Sequence, residues 1–433
     1  MITLNKFILM KNIKNITMLV FCLVCYAGLA FGETYYISQQ GNDNNSGLSP
    51  VAPWKTIRKA VDGNRYLLKR GDSFSFLITK LYDHEKRYPG KQEKIIIDAY
   101  GLGKKPVIDL YRKITGGWVK EGPNVWKLDL VDEENNNKAE ANIGFLNINN
   151  KIFGSRKLRL TDLDKQWDFY CDNKTIHLYS AVSPNNSTIK LARNYTAIFL
   201  SNNMEIANIK IIGTGAHAIQ GVGVENVSIR NVDISEIGGS YLDGHTDGTR
   251  YGNGIEFYEG ATNCSVRNST VSEVYDAAFT CQGYKPNSLF KQVIFENNRC
   301  SNNEQSFEFW VGGVNSSFVK CVFANNRCFN AGYGWAHDVR PDKDVGVHIL
   351  NYSFDFANCD LVIKNNLFDN ARSGYMYSAI ASKQTKGFKS LRNQIILNKG
   401  IPLKYQRDKK SLTNHVDLIN TMGLEIDSKV TRK

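Results

Sequence analysis

Residues 293–300 read VIFENNRC, residues 321–328 read CVFANNRC and residues 361–368 read LVIKNNLF. In each stretch an apolar residue (Phe295, Phe323, Ile363) stands two places before an asparagine (Asn297, Asn325, Asn365). Another apolar residue (Cys300, Cys328, Phe368) stands three places after it. The same frame holds further back, in CSVRNSTV and VSIRNVDI, where Asn268 lies between Val266 and Val271 and Asn231 between Ile229 and Ile234. The five asparagines are 37, 29, 28 and 40 residues apart. A fixed register with loops of variable length is the mark of a solenoid. The apolar positions alternate on a period of two, so the repeats are built from strands. Asparagine tolerates the left-handed backbone that a tight corner between strands requires. Asparagines stacked in a column can also hydrogen-bond from coil to coil.

A chain of 433 residues would ordinarily be two or three domains. A solenoid escapes that rule, because each coil touches only its neighbours and one core runs the whole length. Residues 1–32 read as a signal peptide. Lys11 and Lys14 precede an apolar run from Ile16 to Phe31, and the small residues Ala30 and Gly32 offer a cleavage site before Glu33. The run is short for a membrane span. Export to the periplasm or the exterior is expected, with no stable membrane insertion after cleavage.

Seven cysteines follow Glu33, an odd number. Cys300 and Cys328 share one repeat position, and Cys264 and Cys321 share another. An inward column of cysteines is most simply a buried apolar stack. With coils ~4.8 Å apart, a Cys300–Cys328 bridge is geometrically allowed. The formal charge of +12 is unevenly placed. Residues 1–32 carry three lysines and no acid, and residues 381–433 carry twelve Lys or Arg against four Asp or Glu, which leaves about +1 for the rest. The repeats therefore carry no basic stripe, and nucleic acid is not an expected partner.

Residues 34–62 give an apolar strand, a turn cluster (GNDNNSGLS) and PWKTIRKAV, in which Trp54, Ile57, Ala60 and Val61 share one helical face. This order resembles the N-terminal cap of secreted right-handed parallel β-helix proteins, the pectate-lyase-like class, which contains polysaccharide lyases and glycoside hydrolases. KIIIDAYGLGKKPVIDL is similar to a first pair of coil strands in that class. With FYCDNKTIHLYS and the asparagine repeats, the resemblance covers roughly residues 34–380. It implies an all-β, right-handed parallel β-helix solenoid with an N-terminal helical cap and a C-terminal cap. A polysaccharide substrate follows from the same resemblance, and a monomer is expected because the solenoid is capped at both ends. The β-helix is expected over residues 33–380, with hairpins inserted at about 110–200. Trp118, Trp126 and Trp167 in that insertion are either structural or one wall of a groove. Residues 381–433 form a basic tail. Its last part places Leu412, Val416, Ile419 and Met422 near helical spacing, as a terminal cap would, and KYQRDKK before it is a solvated basic loop.

About ten residues beyond the asparagines a second strand recurs: GIEFYEG, AFTCQG, FEFWVGG and, as a fourth, GWAHDVRP. Alternation puts Ile255, Phe279, Phe307, Phe257, Cys281 and Phe309 inward. It puts Glu256, Thr280 and Glu308 outward in one column, and Tyr258, Gln282 and Trp310 outward in the next. Aromatic faces stack on sugars and carboxylates do acid–base work, so this face is the candidate glycan groove. Each glutamate taken singly is an ordinary strand residue, and a register slip of one would turn both inward. As a pair they stand two coils, ~9.6 Å, apart at the backbone, a separation that suits inverting hydrolysis. Asp276 lies at the corner before this strand, as a second carboxylate or as a turn residue.

AGYGWAHDVRPDKD is the densest constellation. Trp335 offers a sugar platform, His337 a titratable ring, Asp338 a carboxylate and Arg340 a guanidinium suited to a carboxylate or sulfate. FEFW and GWAHDVRPD are similar to blocks in bacterial β-helix proteins. No metal or other cofactor is expected. Asp243, His245 and Asp247 in a glycine-rich loop are the candidates for a calcium site, but the acidic calcium-loop pattern is absent. Three functions stay open: a glycoside hydrolase working through Glu256, Asp276 and Glu308; a polysaccharide lyase using His337 and Arg340 on a uronate; and a non-catalytic glycan-binding protein.

Overall fold

The computed structural model describes residues 32–61, 63–78, 93–130, 141–172, 174–242, 248–381, 385–406 and 411–433. The expected signal peptide, the loop residues Asp243, His245 and Asp247, and part of KYQRDKK lie outside the described residues. The chain winds into a right-handed parallel β-helix of three faces. The first face stacks Ile219–Glu225, the start of Ile255–Arg267, Ala277–Gly283, Gln305–Val311, Val347–Asn351 and Gly374–Ser378 in parallel. The second stacks Ser228–Arg230, the end of Ile255–Arg267, Leu289–Glu296, Ser317–Ala324 and Asn358–Lys364. The third runs from Lys210–Thr214 through Asp233–Ile237, Thr270–Val274, Arg299–Ser301, Arg327–Ala331 and Leu367–Ala371. Lys389–Leu391 and Gln394–Leu397 continue the second and third faces beyond residue 380.

All five repeat asparagines have φ between 53° and 57°. They turn the chain from the second face to the third, where a β-branched residue would be strained. Coil-to-coil amide bonding is present, but its buried run goes through the next residue. Asn298, Asn326 and Asn366 each donate Nδ2 to Oδ1 of the next asparagine, at 3.1, 3.2 and 3.1 Å, ending on Asn393. The inward residues form a continuous core in which Phe307 and Phe323 stack at 4.5 Å. Cys300 and Cys328 are register partners and both are free buried thiols.

Three expectations change. PWKTIRKAV is not a helix: Trp54 bridges Ile37 and its ring stacks on Tyr35 at 4.2 Å, while the amides of Lys55 and Thr56 donate to Asp43. Those local bonds outcompete a helical turn. GWAHDVRP does not supply the fourth strand: Trp335–Val339 is one helical turn, and Val347–Asn351 pairs with Gln305–Val311 instead. The terminal helix, His415–Met422, is capped by Asn414 and ends at left-handed Gly423, but its buried side is Leu418 and Met422, with Val416 exposed. Val119–Gly122, Val125–Asp129, Phe169–Asp172 and Thr175–Tyr179 form an antiparallel four-stranded sheet, with a buried cluster separate from that of the solenoid. Trp118 is buried there, Trp126 donates to the Ser180 carbonyl and Trp167 packs on Phe153. Among the described residues no helix is long and apolar enough to cross a membrane.

Candidate active site

Glu256, Thr280 and Glu308 are register partners on three successive coils, and Tyr258, Gln282 and Trp310 form the adjoining column. Alternation sends the aromatic residues between them into the core and these side chains to the opposite side. There Glu256, Glu308, Tyr258, Gln282 and Trp310 line a cleft of about 560 Å³ together with Asp276 and Arg340, while Thr280 is fully buried. Seven of the ten residues singled out from the sequence thus meet in one place. The other three do not line it. Trp335 is wedged against Phe145 and Tyr275, with its Nε1 on the Glu273 carbonyl. His337 is buried beneath the cleft with Nδ1 2.9 Å from Glu304. Asp338 is exposed and pairs with Arg372.

Glu308 accepts a hydrogen bond from the Trp310 indole on Oε1 at 2.8 Å. Burial, reinforced by the Asp276 charge, pushes its carboxyl up to about 8. It is therefore mostly protonated at neutral pH. Glu256 is held differently. Gln220 donates to Oε2 at 2.6 Å, Asn253 to Oε1 at 3.2 Å, and Gln282 also to Oε1. His217 completes the set at 3.3 Å. Burial depresses the His217 imidazole below its ordinary value. Its Nδ1 accepts the Asn253 amide, so the proton of the neutral ring sits on Nε2 and points at Glu256.

Asp276 is partly exposed and lies 3.0 Å from Nη2 of Arg340. Burial outweighs that guanidinium and pushes the carboxyl up to about 6. Arg340 itself is fully engaged. Nε and Nη2 fork onto Asp342 at 2.8 and 3.2 Å, and Nη1 donates to the Tyr275 carbonyl at 2.9 Å.

Gln220, His217, Asn253, Asp342 and Tyr352, none of them a sequence candidate, also line the cleft. Gln220 was accessible in principle, because AIQG continues the alternation of GIEF one coil earlier. Tyr352 follows the true fourth strand, which GWAHDVRP had displaced. Among the described residues no cluster of three metal-ligating side chains occurs.

No family model matches the chain, and no curated protein matches it. Solved structures do. A structure of XylC in complex with xylose superposes with a TM-score of 0.51 at 12% identity, covering 92% of this chain and 82% of that one. A glycoside hydrolase gives 0.47 at 9% identity over 93% and 96%, and a rhamnogalacturonan lyase 0.43 at 11% over 92% and 87%. The likeness to the first establishes the fold. The chain is a parallel β-helix protein with an acidic, aromatic-walled cleft on its first face.

Proposed function

We propose that the protein is an exported glycoside hydrolase acting on a polysaccharide in this cleft. One observation carries the reading: a carboxyl that holds its proton at neutral pH, Glu308, shares an aromatic-walled cleft with carboxylates on neighbouring coils. Two carboxyl groups whose surroundings separate their protonation are the working parts of glycosidic hydrolysis. Glu308 delivers its proton to the glycosidic oxygen as the C–O bond breaks and the departing alcohol leaves neutral. Asp276, ionised above about 6, takes a proton from the water that attacks the anomeric carbon. Glu256 is fixed by its four donors and holds its oxygens beside the reacting centre, where preorganised polar groups stabilise a developing cation. A β-elimination would need free groups for the uronate, whereas His337 is bonded to Glu304 beneath the cleft and Arg340 is occupied by Asp276 and Asp342.

The test is a panel of polysaccharides incubated with the protein beginning at residue 33, read for reducing ends and for ultraviolet absorbance of unsaturated products. New reducing ends without absorbance are expected. Absorbance rising with them would replace hydrolysis by elimination, and a panel bound but never cut would leave a glycan-binding protein.

A further inference from the structure

We infer that the cleft is built for a glycan that carries no acidic groups. This rests on the hydrolase reading and names its substrate class. Among the described residues four carboxyl side chains line the cleft: Glu256, Asp276, Glu308 and Asp342. Among the described residues its cationic side chains are two arginines, and each is already committed. Arg340 gives all three nitrogens to Asp342, Asp276 and the Tyr275 carbonyl. Arg250 gives Nε to the Gly239 carbonyl at 2.6 Å, Nη1 to that of Gly154 at 3.0 Å and Nη2 to that of Gly144 at 2.6 Å, and lies over the Tyr275 ring.

Recognition of a uronate or a sulfate calls for a guanidinium or ammonium free to form charge-assisted bonds. Here an anionic sugar would have to break a buried ion pair, leaving a carboxylate uncompensated, which is strongly unfavourable. It would also sit among like charges in a site of reduced dielectric. What the walls do offer suits neutral sugars. Tyr284 packs edge-on to Trp310 at 4.8 Å, and Tyr258 and Tyr352 add further rings. Apolar sugar faces stack on such rings, and the Gln282 amide supplies hydrogen-bonding groups.

The experiment uses Glu308→Gln, which removes the proton donor while matching the neutral state of that carboxyl in shape. Affinity electrophoresis at physiological salt compares neutral glycans (a glucan, an unsubstituted xylan, a mannan, an arabinan) with polygalacturonate, alginate and a sulfated galactan. Retardation by at least one neutral glycan and none of the acidic ones is expected. Retardation by an acidic glycan overturns the inference, and so does failure to be retained by any neutral one. The wild-type protein is assayed in parallel for reducing ends. A neutral glycan bound but not cut would remove the hydrolase reading and leave the substrate class standing. An acidic glycan bound and hydrolysed would do the reverse.

Discussion

Trp310 donates its indole N–H to Oε1 of Glu308 at 2.8 Å. Indole nitrogen is a donor only, so a protonated Glu308 carries its hydrogen on Oε2. The acid thus has one defined direction in which to deliver it. With that carboxyl pushed up to about 8 by burial and by the Asp276 charge, kcat/KM should fall as pH rises through about 8. Glu308→Gln should lose ~10²–10⁴ in kcat on polysaccharide but much less on an aryl glycoside whose leaving group needs no proton. Trp310→Phe keeps a ring and removes a bond that favours the ionised carboxylate, so its alkaline limb should move to higher pH. Rates from pH 5 to 10 on both substrates decide this. An unmoved limb in Trp310→Phe would disconnect the indole from the acid.

The acidic limb belongs to Asp276, pushed up to about 6. Activity should drop as pH falls through that value, and Asp276→Asn should abolish most of it at every pH. Arg340→Gln removes the cation that opposes the upward shift, so the limb should move to higher pH. It also leaves Asp276, Asp342 and Glu304 without their guanidinium, at a cost of ~3–5 kcal/mol in stability. Pairing the pH profile with thermal melting separates the two effects, since unfolding alone shifts no pKa.

The solenoid was legible because its signal is strictly local and repeated. An asparagine at left-handed φ and apolar residues at fixed offsets recur in Asn231, Asn268, Asn297, Asn325 and Asn365, and the register they set placed Glu256, Thr280 and Glu308 in one column. Partners from distant loops were not legible. Glu304 reaches His337 from 33 residues earlier in the chain, and Asp342, though only two residues from Arg340 and inside AGYGWAHDVRPDKD, forks with the guanidinium because of a turn that no periodic pattern marks. Trp335 has the ring of a sugar platform, but Phe145, from the strand Ile143–Ile148 far away in the chain, packs against it at 4.8 Å and covers it. An insertion leaves no periodic trace of what it will cover.

Glu308 also ties stability to pH. The unfolded chain releases this proton near the ordinary glutamate value of 4.5, whereas the folded protein holds it to about 8. Between those values the native state binds more protons, so its contribution is fully present below 4.5 and is lost as pH rises through about 8. Glu308→Gln has no such dependence. Its melting temperature relative to wild type should therefore rise from pH 5 to pH 9. A constant difference would mean that the carboxyl titrates alike in both states.

The buried asparagine ladder ends on the side chain of Glu425. Asn393 donates Nδ2 to Oε2 of Glu425 at 3.0 Å, and Ser428 donates to the same oxygen at 2.7 Å. Tyr375 and Ser390 donate to Oε1, the former at 2.6 Å. Every amide in the run points the same way along the solenoid, so the last one needs an acceptor that asks for nothing back, and a carboxylate from the C-terminal cap supplies it. Glu425→Ala removes an acceptor from the buried Asn393, Tyr375 and Ser390, of which Asn393 keeps the Ile363 carbonyl, at ~1–3 kcal/mol for each donor left unpaired. Glu425→Gln keeps one acceptor but turns a second set of donors on the others, and should fall between the two. In a solenoid the damage begins at the coil affected and spreads by neighbour contact. Hydrogen exchange should therefore quicken first in Gln394–Leu397 and Lys429–Arg432, strands that pair with each other. An interior change, Asn326→Asp, keeps the acceptor for Asn298 but loses the donation to Asn366 and to the Phe295 carbonyl. It should open the middle of the helix instead. Identical exchange patterns for the two variants would mean that the ladder unfolds as one unit and the cap has no separate part in holding it.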